Sequence, residues 1–87
     1  MGKFDNELIE YAKASGAFEF AVKRYLANKA DLNLRQEVNS TFNQLEKIAF
    51  PIIEGIHNQN PTDADASSVY EIAYADLRLM QFIFTNL

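Results

Sequence analysis

Residues 34–56 read LRQEVNSTFNQLEKIAFPIIEGI, and whether Pro51 ends a helix there or only bends one decides the fold. Leu34, Val38, Phe42, Leu45, Ile48, Ala49, Ile52 and Ile56 recur at helical spacing on one side, with Asn39, Asn43, Glu46, Lys47 and Glu54 on the other. A proline inside a helix removes one backbone donor and crowds the turn before it, so a kink is expected near Phe50. The apolar stripe resumes beyond Pro51, and the stretch therefore reads as one bent helix over residues 32–59. Asn33 with Gln36 has capping-box spacing at its start, and Asp31 is the alternative cap.

Upstream, Phe4, Leu8, Tyr11, Ser15, Phe18, Val22 and Tyr25 keep a single stripe in phase and predict a helix over 4–29, capped by Asp5 or Asn6. Ser15-Gly16 is its weak point, because glycine costs about 1 kcal/mol in a helix interior and serine can cap a new helix. Downstream, HNQNPTDAD is polar and holds Pro61, which marks a turn. Thr62 and Asp65 then stand in capping-box positions for a last helix over 63–86, and acids in its first turn suit the positive end of the helix dipole. The expected fold is all-α: an antiparallel bundle of three long helices in a single domain over 1–87, or of four helices if the first breaks at Gly16. No linker, repeat or low-complexity run divides the chain.

The last helix carries more apolar surface than two neighbours can cover. On a helical wheel its polar arc holds only Glu71, Tyr74, Arg78, Gln81 and Thr85, whereas a surface helix usually shows a much narrower apolar stripe. The excess falls on Ala75, Leu79 and Phe82, and Tyr70, Tyr74, Arg78 and Phe82 follow one another at four-residue steps. Tyr, Arg and Phe are residue types that anchor interfaces. A smaller excess, Ile9 and Phe20, lies opposite the buried stripe of the first helix. These seven residues, Tyr70, Tyr74, Arg78, Leu79, Phe82, Ile9 and Phe20, are the candidate partner-binding positions. Asp76 falls within the apolar arc, and a carboxylate there needs a Tyr hydroxyl, a Lys, an Arg or an interface partner.

Catalytic chemistry lacks its parts. The chain has one histidine and no cysteine, and its three glycines are isolated, which leaves no complete nucleophilic triad and no phosphate-cradling loop. No cofactor is expected. Glu54 and His57 match the Glu-x-x-His spacing of di-iron bundles, the one metal alternative, but the wheel places both on the polar side of their helix instead of facing inward. His57 near a helix C-terminus also interacts favourably with the dipole.

The net charge is −4, running from a slightly basic first third to an acidic last one, and Lys23, Arg24 and Lys29 form the one small basic cluster. Direct nucleic-acid binding is not expected, because it draws on clustered Lys and Arg. No stretch reaches the roughly 20 apolar residues of a membrane span, and the first residues lack the apolar run of a signal peptide. With no cysteine, these features suggest a cytoplasmic setting. The function they favour is a non-catalytic adaptor, inhibitor or regulator that works through helix faces, binding another protein or itself as a homo-oligomer. An acidic helical surface that mimics nucleic acid toward a nucleic-acid-binding protein is the alternative.

Overall fold

The computed structural model describes residues 4–87, and these are all-α. Helix α1 runs Asp5–Ala27, α2 Leu32–Gln44, α3 Phe50–Gln59 and α4 Ala64–Thr85, and a π-helical segment, Leu45–Ala49, joins α2 to α3 without a break. Three rods result, because α2, the π segment and α3 are one continuous helical run. The molecule measures 48 × 23 × 18 Å. Gly16 does not interrupt α1, and the stripe read from the sequence is the face that α1 turns inward: Phe4, Ser15, Phe18 and Val22 are buried and Leu8, Tyr11 and Tyr25 half-buried.

The caps differ in detail from expectation. Asp31 caps α2, its carboxylate accepting from the Asn33 amide at 2.9 Å. Asp63 caps α4, accepting from the amides of Asp65 and Ala66 at 2.9 and 3.3 Å, so Thr62 does not supply the cap. At α1 the capping position falls on Phe4, which has no side-chain cap, and Asp5 is the first helical residue.

Pro51 acts differently from a simple kink. The Phe50 amide bonds back to the Leu45 carbonyl, five residues earlier, and Pro51, which has no amide to donate, follows directly after this wider turn. The wider π turn advances less per residue than an α turn, so the buried face changes phase across it. Leu45, Ala49, Ile53 and Ile56 are buried, Ile48 is 38% exposed and Ile52 only half-buried. The straight wheel, which set Ile48 and Ile52 inside, is corrected by this one turn.

Helix α1 lies along α2 and the π segment, and α4 lies mainly along α3. The three rods meet in a ring cluster: Phe42 stacks on Phe84 at 4.0 Å, and Phe18 is tilted against both at 5.6 and 6.4 Å. Helices α1 and α4 make little contact with each other along their length, which leaves two open depressions between them. One, of about 360 Å³, is lined by Leu8, Tyr11, Val69, Ile72, Ala73 and Asp76. The other, of about 250 Å³, is lined by Phe18, Glu19, Val22, Lys23 and Ile83.

Candidate functional site

Helix α4 buries Ala66, Ala73, Leu77 and Met80 against the core. Because side chains step round a helix by 100° per residue, not all of its other apolar residues can reach that face. Val69, Tyr70, Tyr74, Ile83 and Phe84 pack against the core half-buried. Ile72, Leu79 and Phe82 remain 74%, 56% and 65% exposed, and Ala75 between them is exposed as well. These four form one continuous apolar stripe down the outer side of α4.

The line Tyr70, Tyr74, Arg78, Phe82 does not share one surface. Tyr70 is half-buried and stacked on His57 at 4.6 Å and on Tyr74 at 5.3 Å, and Phe50 meets Tyr74 edge-on at 6.0 Å. Both tyrosines therefore belong to the seam between α3 and α4. Arg78 is exposed and holds its guanidinium 5.8 Å over the Tyr74 ring, so it leans toward that same seam. Phe82 alone of the four stands on the outer stripe.

His57 is also placed differently from the wheel. The phase change at the π turn swings it toward α4, where it is half-buried, and its Nδ1 is buried with no hydrogen-bond partner among the described residues. Glu54 stays exposed. Among the described residues, no three His, Cys, Asp or Glu side chains come together as a metal-ion site, and Glu54 and His57 gain no third such ligand among them.

Asp76 has a Tyr hydroxyl as its partner: Tyr11 of α1 donates to one carboxylate oxygen across the α1/α4 opening. Burial first, then the hydrogen bond and the negative charge of Asp76, push the Tyr11 hydroxyl well above its ordinary value near 10. The bond ties together two helices that otherwise touch little, and it turns Asp76 toward α1 and off the outer stripe. Sequence reasoning saw that Asp76 needed a partner, but Tyr11 fell on the core stripe of a helix whose position beside α4 no local pattern specifies.

On α1, Ile9 is 52% and Phe20 64% exposed, and Arg24 covers part of the Phe20 ring at 5.7 Å while bonding Glu37 of α2 at 2.8 Å. Leu26 and Leu32 are further exposed apolar side chains that the sequence reading passed over. No helix among the described residues is long and apolar enough to cross a membrane. Compared with known proteins, the chain matches no family model, no curated sequence and no solved structure.

Proposed function

We propose that this chain is a non-catalytic protein-interaction module that works through the outer face of α4 and associates with itself. The observation that carries the reading is the unbroken stripe Ile72, Ala75, Leu79, Phe82, whose three large members are all more than half exposed. Scattered surface apolar residues are ordinary; a contiguous row on one helix is the pattern of a contact face.

Fully covering an Ile, Leu or Phe side chain contributes roughly 1.5–3 kcal/mol, so the exposed portions of these three supply about 1–2 kcal/mol each. In a symmetric pair, six such side chains give on the order of 6–12 kcal/mol, close to the 4–15 kcal/mol that association costs. Weak, concentration-dependent association is the result this balance predicts.

The test is the mass in solution by light scattering over a concentration series from sub-micromolar upward, for the natural sequence and for Phe82→Glu. The natural chain should gain mass with concentration, and Phe82→Glu should stay monomeric with its helical circular dichroism intact. A natural chain that stays monomeric throughout, or a variant that loses its helicity, counts against the reading. The nucleic-acid-mimicking alternative separates by salt, since a charge-driven contact weakens steeply with ionic strength and an apolar one does not.

A further inference from the structure

We infer that the occupant of this stripe is α4 of a second copy, the two helices running antiparallel about a two-fold axis. The inference rests on the reading of the outer face of α4 as an interface and specifies its partner and direction. Ser68, Ile72, Ala75, Leu79, Phe82 and Asn86 follow one another at alternating steps of four and three, the spacing of a two-stranded coiled-coil seam. Set antiparallel with Ala75 opposite Leu79, the same seam puts Ile72 opposite Phe82 and Ser68 opposite Asn86. The smallest apolar residue then faces a large one, and a polar pair closes each end. Read backwards, the seam is its own complement, as a closed two-fold contact requires. A slip of one heptad would set Asp65 against Phe82 and Ser68 against Leu79 in one direction, or Ala75 against Asn86 in the other, and both mix polar with apolar residues, which favours the first register.

Charge gives the direction independently. Asp63, Asp65 and Glu71 all lie toward the N-terminal end of α4. Parallel pairing would align each with its own copy, whereas antiparallel pairing sends the two acidic ends to opposite ends of the dimer. Each acidic end then lies alongside the C-terminal part of the other copy's α1, where Lys23, with Glu19, borders the depression beneath Ile83. Asp76 and Arg78 are the charged groups that this arrangement brings near their own counterparts at the axis. Both are already turned aside, Asp76 by the Tyr11 hydroxyl and Arg78 by the Tyr74 ring.

The natural sequence has no cysteine, so the register is open to disulfide mapping with Ser68→Cys and Asn86→Cys, each outside the apolar part of the seam. A disulfide needs Cβ atoms about 3.5–4.5 Å apart, which makes cross-linking a sharp reporter. The two variants are prepared separately, one carrying a size tag, then mixed, given time to exchange subunits and mildly oxidised. Light scattering first establishes that each variant associates as the natural chain does. The expected product is the mixed 68-to-86 dimer in large excess over either like-to-like dimer. Like-to-like dimers from each variant alone overturn the inference in favour of parallel pairing, and a dimer by mass with no cross-link overturns it in favour of another face. The first leaves the proposed function standing; the second keeps self-association but takes the outer face of α4 out of it. A chain that is monomeric at every concentration sinks the function and the inference together.

Discussion

Leu77 and Leu79 sit two positions apart on α4 with opposite surroundings, which makes alanine substitution at each a matched test of where the core ends. Leu77 is completely buried. Truncating such a leucine removes its transfer free energy and leaves a cavity, and comparable core sites lose about 2.7–5 kcal/mol. A chain of this size holds only roughly 5–10 kcal/mol of stability in all, and each kcal/mol shifts Tm by about 4–8 °C in a domain this small. Leu77→Ala should therefore lower Tm by at least roughly 10 °C. Leu79 is 56% exposed. Less than half of its side chain is taken out of water and no enclosed cavity follows, so about 1 kcal/mol or less is at stake, and the better helix propensity of alanine offsets part of it. Urea unfolding followed by circular dichroism, at a protein concentration where light scattering finds monomer, measures both. Repeated where the chain is associated, Leu79→Ala should cost more than it did in the monomer, because binding stabilises only the folded state. Equal losses for the two variants in the monomer would refute the division of α4 into a buried and an outer face.

Gly16 lies in mid-helix and a Cβ added there meets nothing within 4 Å, so Gly16→Ala should raise stability by about 0.5–1 kcal/mol; a loss in urea titration would show that the open side of α1 is occupied. The Tyr11 hydroxyl is held above its ordinary value in the folded chain, so unfolding releases its proton at alkaline pH. Its contribution is complete below pH ~10 and declines as pH rises beyond, and Tyr11→Phe should flatten that decline in stability against pH; an unchanged alkaline slope contradicts the assignment. His57→Phe keeps a ring against Tyr70 and removes the unpartnered Nδ1, so stability should hold or rise by about 1 kcal/mol. A clear loss would mean that Nδ1 has a partner in solution.

The inner face of α1 was legible because Leu8 to Tyr25 lie on an uninterrupted α-helix, for which a wheel of fixed angle is correct. The same wheel served for Leu34 to Leu45 and then lost phase at the π segment. That is why Ile48 stands outside, Ile53 takes a place in the core and His57 turns inward. Periodicity carries no mark of a π turn in advance, although Pro51 marked the neighbourhood in which the ladder had to change. The surplus apolar surface of α4 could be read from composition alone. Which part of it would be covered by α3 and which left outside depended on the tertiary placement of Tyr70 and Tyr74.

The long middle run makes the molecule two helical hairpins that share a rod, α1 with α2 and α3 with α4. Most packing thus joins elements adjacent along the chain, and loop closures are short, the topology that folds in microseconds to milliseconds. The Phe18 to Phe84 and Phe42 to Phe84 ring contacts and the Tyr11 to Asp76 bond span both hairpins. They are contacts of large sequence separation and should form late, so weakening them should speed unfolding while leaving the folding rate nearly unchanged.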